Sequence, residues 1–178
     1  MPVFRSAGPA LLIVFALLSA GCASVPTADR YLTAGARHKT YDGFLAYGAF
    51  KDLVVEGRFE NALCARLKQA GQACVPMLAI ATPTSCQDSA TRQRAMRTSG
   101  AQAALVIELI DPNTASRQLL ANGAPAFRVS VVDIKAQTIM ARLAIENPQD
   151  ADDLEARADA VAAATTRALV DAGLLQPR

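Results

Sequence analysis

The sequence predicts an α+β domain: a mixed sheet of about five strands with helices on one face, in the order strand, helix, strand, helix, strand, hairpin, helix. Three observations predict it. Ala103 to Ile110 is an almost continuous apolar run, as expected of a strand covered by neighbouring elements. Phe127, Val129 and Val131 alternate with Arg128 and Ser130. After a turn at Lys135 to Gln137, Ile139, Ala141, Leu143 and Ile145 follow the same rhythm with Arg142 and Glu146, which predicts an antiparallel hairpin with one dry face. Residues 53–70 and 152–172 instead repeat apolar side chains at helical intervals.

Phe44 to Phe50, bounded by Gly43 and Lys51-Asp52, suits the first strand. In the first helix Leu53, Phe59, Leu63, Leu67 and Ala70 form the stripe, Arg58, Glu60, Arg66 and Lys68 flank it, and Gly71 is the stop. Val75 to Thr82 reads as a short buried strand with Pro76 near its start, and Pro83 to Asp88 as a loop. Ser89 to Thr98 is a short polar helix that Asp88 or Ser89 can cap and Gly100 can end. Asp111 to Pro125 is a long loop. The last helix carries Leu154, Ala158, Val161, Thr165, Ala168, Leu169 and Ala172 on one stripe. Asp152, Asp153 and Glu155 at its start complement the helix dipole, and Gly173 is its stop.

The chain has 178 residues, 18 Lys and Arg against 16 Asp and Glu, and 5% aromatic residues, so neither a phosphate-neutralising surface nor a base-stacking platform is expected, and nucleic acid is excluded as a partner. A hydrophobic content of 52% excludes a disordered chain. Arg5, the apolar stretch Ala10 to Leu18 and the small residues Ser19-Ala20-Gly21 have the layout of a bacterial secretion signal. About ten apolar residues rise only about 15 Å as a helix, half the ~30 Å hydrocarbon core, so cleavage is expected and not a permanent span.

Leu18-Ser19-Ala20-Gly21-Cys22 resembles the lipobox of bacterial lipoproteins. The resemblance implies cleavage after Gly21 and a diacylglyceryl thioether on Cys22. Ala23, where an inner-membrane retention signal has Asp, implies the periplasmic side of the outer membrane. The expected organisation is therefore a signal peptide at 1–21, a lipidated tether at 22–42 and a periplasmic domain at 43–178.

Arg58-Phe59-Glu60-Asn61-Ala62-Leu63, Gly100-Ala101-Gln102-Ala103-Ala104-Leu105-Val106, and Val132-Asp133 before Thr138-Ile139 are similar to the first helix, the central turn and strand, and the hairpin of two groups of small periplasmic domains. These groups are typified by the TolB amino-terminal domain and by outer-membrane lipoprotein activators of penicillin-binding proteins. The resemblance spans roughly residues 43–172 and implies the fold. Gln102 stands where those domains often have Asp, and Met140-Ala141 where an aromatic often follows the turn, so activation of a penicillin-binding protein is not carried over.

The common catalytic templates are absent. His38 is the single histidine and sits in the expected tether between Arg37 and Lys39; no H-E-x-x-H, G-x-S-x-G or P-loop occurs, and no metal or cofactor is expected. Glu108 and Asp133 are the nearest thing to a carboxylate pair, with a strand acid and a turn-forming Asp as the simpler reading. With Cys22 acylated, Cys64, Cys74 and Cys86 can form one disulfide in an oxidising compartment. Cys74 and Cys86 flank a strand expected to be about 24 Å long at ~3.3 Å per residue, more than the return from Thr82 to Cys86 recovers. Cys64 with Cys86 is the preferred bridge, with Cys64–Cys74 or no bridge as alternatives. Arg92, Arg94 and Arg97 make the second helix basic, a solvated surface able to meet anionic groups. Arg117, Leu119 and Leu120 in the long loop form a possible partner contact. The function expected is that of a non-enzymatic, lipid-anchored module that holds another envelope protein. A thiol-redox factor or a small-ligand or cell-wall-binding module is the alternative.

Overall fold

Alternating and continuous apolar runs do become strands, and a computed structural model, which describes residues 28–110, 125–146, 148 and 151–176, shows how they pair. The strands are β1 (Ala28–Leu32), β2 (Gly43–Gly48), β3 (Ala73–Pro76), β4 (Ala103–Leu109), β5 (Pro125–Asp133) and β6 (Thr138–Glu146). The helices are α1 (Leu53–Gln69), α2 (Met77–Ile80), α3 (Ser89–Thr98) and α4 (Leu154–Asp171), with a 3-10 turn at Ala34–His38. The fold is α+β, and its mixed sheet has six strands in the order β1-β6-β5-β4-β2-β3. β2 runs parallel to β3 and β4; the remaining neighbours are antiparallel.

Two expectations are corrected by β1 and β3. The tether expected at 22–42 is not free of structure, because Ala28–Leu32 pairs with β6, Ala28 opposite Ile145 and Leu32 opposite Ala141. An edge strand exposed on both faces, as Asp29 to Leu32 are, has no dry side and so no alternation to read. The strand expected over Val75 to Thr82 ends at Pro76, where the chain turns into α2. Pro76 lacks an N–H for further pairing, while Met, Leu and Ala are good helix formers.

Placing β3 on one side of β2 and β4 on the other decides where the helices lie. Crossovers between parallel strands are right-handed, so the step to β3 and the return past β2 to β4 must cover opposite faces. Phe44, Ala46, Leu105, Ile107, Val129 and Leu143 pack with α1 and α4 on the larger face. Leu45 and Ala104 pack with Met77, Ala81 and Ala95 of the α2–α3 segment on the smaller one. Helices were expected on one face; both faces carry them.

The helix ends follow the chemistry of their terminal residues. Asp52, Asp88 and Asp153 cap α1, α3 and α4 by accepting backbone N–H groups of the first turn. Past α1, Gly71 at φ 80° lets its N–H reach Lys68 O while Gln72 N–H reaches Leu67 O; Gly173 at φ 69° ends α4 in the same way. Ion pairs of Arg66 with Asp159 and of Arg58 with Glu155 run between α1 and α4.

The sheet has two unlike ends. The chain enters β1 at Ala28, leaves β4 at Leu109, enters β5 at Pro125 and leaves β6 at Glu146, all at one end. The amino ends of β2 and β4 and the β5–β6 turn lie at the other. A stability test of this core is the substitution Leu105→Ala, at a fully buried side chain of β4. It should lower the unfolding free energy in a urea titration by about 2–5 kcal/mol. Val54→Ala, at an exposed position of α1, should change it by less than about 0.5 kcal/mol.

Candidate functional site

In open sheets with parallel strands, ligands commonly sit outside the carboxyl ends of the strands where successive crossovers take opposite faces. Here that point is the end of β2, and it is filled from within. Glu56 and Glu60, one helical turn apart on α1, are 1% and 0% exposed, and Arg92 of α3 is 7% exposed. Arg92 grips Glu56 with both terminal nitrogens, Nη2 to Oε2 at 2.9 Å, and its guanidinium lies 4.9 Å from the Tyr47 ring centroid. Glu60 accepts Gly48 N–H at 3.1 Å and Leu78 N–H at 2.9 Å, tying α1 to the end of β2 and to α2. A Cβ at Gly48 would meet the Phe50 ring at 2.9 Å and Glu56 Cα at 3.2 Å, so the close approach of α1 requires glycine there.

Burial pushes the Glu60 carboxyl up to about 8, and the neighbouring Glu56 charge adds to the rise, against the two backbone N–H bonds that lower it. Arg92 thus pairs with Glu56, while Glu60 keeps its proton to a higher pH than an ordinary carboxyl. Glu60 was expected beside the apolar stripe, yet it lies only about 60° from Leu63 and about 40° from Cys64 around the helix, inside the buried arc. Arg92 was expected on a solvated surface with Arg94 and Arg97; those two are exposed, whereas Arg92 is buried against Glu56.

At the opposite end of the sheet a groove of about 620 Å³ opens between the segment before β2, the carboxyl end of α3 and the β5–β6 turn. Lys39, Tyr41, Arg97, Gln102, Asp133 and Lys135 are among its lining residues. Asp133 is 4% exposed and takes three donors: Ala136 N–H at 2.8 Å on Oδ1, then Lys39 Nζ at 3.0 Å and Tyr41 O–H at 3.2 Å on Oδ2. The Ala136 bond, followed by Lys39 and Tyr41, holds the Asp133 carboxyl below its usual range. Burial, followed by the Asp133 charge, pushes the Tyr41 phenol up to about 12. Asp133 is the turn-forming residue expected, with a second role as the floor of the groove. Glu108 is not its partner: it pairs with Arg128 at 2.7 Å, five positions along β4 from the residue opposite Asp133. His38 ends the 3-10 turn and is exposed.

The disulfide joins Cys64 to Cys74, with Cα atoms 5.1 Å apart, and Cys86 is free and exposed. This corrects the preferred Cys64–Cys86 bridge. The long strand expected after Cys74 argued only against Cys74–Cys86; β3, short and running beside α1, brings Cys74 directly against the helix. Gly21, Cys22, Arg117, Leu119 and Leu120 lie outside the described residues. Glu56, Tyr47, Lys39 and Tyr41 were not singled out from sequence, and of these only Glu56 left a signal, as a carboxylate one turn before another on the buried arc of α1. Among the described residues, no cluster of three or more His, Cys, Asp or Glu side chains could hold a metal ion.

No protein-family profile and no curated protein matches the chain. Two solved structures of PelC from Paraburkholderia phytofirmans, both dodecamers, are similar in fold. One, a point variant, is 13% identical with a TM-score of 0.48, and the other is 11% identical with a TM-score of 0.46. Each alignment covers 86% of this chain and 99% of the other.

The buried carboxyl gives a pH dependence of known sign. The folded protein keeps a Glu60 proton that the unfolded chain releases in the ordinary carboxylate range. That stabilisation is complete below about pH 4.5 and is lost as the pH rises through about 8. The melting temperature should therefore fall as the pH is raised across that window. Glu60→Gln should flatten the fall while lowering stability by about 1–3 kcal/mol through one lost acceptor. An equally steep fall in the variant would contradict the assignment. For the cysteines, alkylation of the unreduced, denatured mature protein should label Cys86 and neither Cys64 nor Cys74; label on Cys74 would mean another pairing.

Proposed function

We propose that this protein is a lipid-anchored domain on the periplasmic side of the outer membrane, and that it acts by holding another envelope protein beside that membrane. The observation that carries the reading is the spacing between the lipobox cysteine and the sheet. Ala28 lies six positions after Cys22, so an acyl group on Cys22 would keep the start of β1 within about 20 Å of the bilayer surface. Two or three acyl chains, at ~0.8 kcal/mol per buried CH₂, make such an anchor lasting.

Three further features support it. A disulfide between Cys64 and Cys74 suits an oxidising compartment. The crevice at the end of β2, where a substrate would commonly enter, is occupied by Glu56, Glu60 and Arg92. β1 is the outer strand on its side of the sheet, and its exposed Tyr31 and Leu32 lie beside backbone groups able to pair with an added strand. The loop bearing Arg117, Leu119 and Leu120 joins β4 to β5 at the same end of the sheet at which β1 begins. The start of β1, the end of β4 and the start of β5 share one end of the sheet, which makes that end the docking face in this reading.

The test is made in cells. With Cys22→Ala, or with globomycin, the unprocessed precursor should accumulate or the protein should leave the outer-membrane fraction. In the native background a photo-crosslinking residue at Tyr31 should trap a discrete envelope protein. Unchanged processing and fractionation would reject the anchor, and an anchored protein that yields no adduct from Tyr31 would reject the β1 edge as the docking surface.

A further inference from the structure

The groove at the amino ends of β2 and β4 plays no part in attachment, yet it is built from four separate stretches of chain. Lys39 comes from the segment before β2, Arg97 from the last turn of α3, Gln102 from the turn before β4, and Lys135 from the β5–β6 turn. Lys39 is held in place from below: its Nζ rests on Asp133 Oδ2, a carboxylate already engaged by Tyr41 O–H and Ala136 N–H. Lys39 thus offsets the Asp133 charge. Arg97 and Lys135 form no ion pair among the described residues. Two cationic side chains therefore share one recess with no carboxylate paired to either, beside a third that is already paired with Asp133.

We propose that this groove binds a soluble phosphate-bearing compound, its phosphoryl oxygens taken by Arg97 and Lys135 with Lys39 closing the third side. A phosphate monoester carries a charge of about −1.5 to −2 at neutral pH, which matches the two uncompensated cations. Its oxygens point in several directions, as suits donors arriving from separate elements, whereas a planar carboxylate is satisfied by one Arg fork. Thr40, Gln102 and Gln137 on the same walls supply neutral polar groups for the rest of the molecule. The volume, about 620 Å³, lies within the range of small-molecule sites, about 300–1,000 Å³. The groove lies at the end of the sheet opposite the entry into β1. If the anchor is at Cys22, as the preceding reading holds, the phosphate comes from solution and not from headgroups of the same membrane.

The test is calorimetric titration of the full mature chain with sodium pyrophosphate at low ionic strength. One saturable site is expected. Arg97→Ala and Lys135→Ala, both at exposed side chains, should each weaken it by about tenfold, and Arg94→Ala, an exposed arginine of the same helix outside the groove, by less than about twofold. Circular dichroism confirms that each variant is folded. Absence of saturable binding, or an equal loss in Arg94→Ala, overturns the proposal. So does a protein that binds vesicles containing phosphatidic acid in an Arg97-dependent way but does not bind pyrophosphate. The titration is repeated with Cys22→Ala, whose groove is intact, so a failed anchor and a failed groove give different results.

Discussion

β2 has parallel neighbours on both sides, and right-handed crossovers then leave one arrangement for the helices: α1 over one face and the α2–α3 segment over the other. The two layers have to be joined where the chain leaves β2, and two buried glutamates do the joining. Glu60 of α1 receives N–H groups from β2 and α2, and Glu56 receives Arg92 from α3. Replacing a buried ion pair by packed apolar groups is often neutral or stabilising, so the cluster need not add much net stability. Removing one partner alone is a different matter, costing about 3–5 kcal/mol because a charge is left buried. The cluster therefore acts as a constraint on how α3 docks, and it fills the place a substrate would enter.

The same topology explains the disulfide. β3 is four residues long, lies at the edge of the sheet and follows α1 after a tight Gly71 turn, so Cys74 can hardly avoid Cys64 on the last turns of the helix. Closing a loop of this length removes about 3 kcal/mol of unfolded-chain entropy in the loop-closure treatment. The bridge fastens the shortest of the described strands to α1.

Much of the fold was legible because its signals are local. Gly71 and Gly173 stop helices, Asp88 caps α3, and β4 with the β5–β6 hairpin carries the apolar patterns that buried and half-buried strands require. What was not legible depends on partners distant in sequence. β1 looks like linker because an edge strand exposed on both faces has no pattern, and it becomes a strand only against β6. Val75 to Thr82 is apolar for two reasons at once, four residues of strand and then a helical turn over the smaller face, and a single run does not show where one ends. Arg92 and Glu60 look like surface charges, and only the crossing of two layers buries them. The groove was invisible for the same reason: Lys39 and Asp133 are 94 positions apart.

A domain with two unlike ends, anchored at Cys22 as proposed, has a direction, and that direction can be measured. The mature protein, carrying Cys86→Ser, is spin-labelled either at Leu109→Cys, at the end of the sheet where β1 begins, or at Lys135→Cys, on the far turn. It is then reconstituted in vesicles with nickel-chelating headgroups. Leu109 lies opposite Phe127, and the six steps of β5 from there to Asp133 span about 20 Å at ~3.4 Å per residue, enough to separate the two positions by relaxation enhancement. The account predicts strong enhancement at position 109 and little at position 135. Equal enhancement, the reverse order, or a protein that does not remain on the vesicles would contradict it.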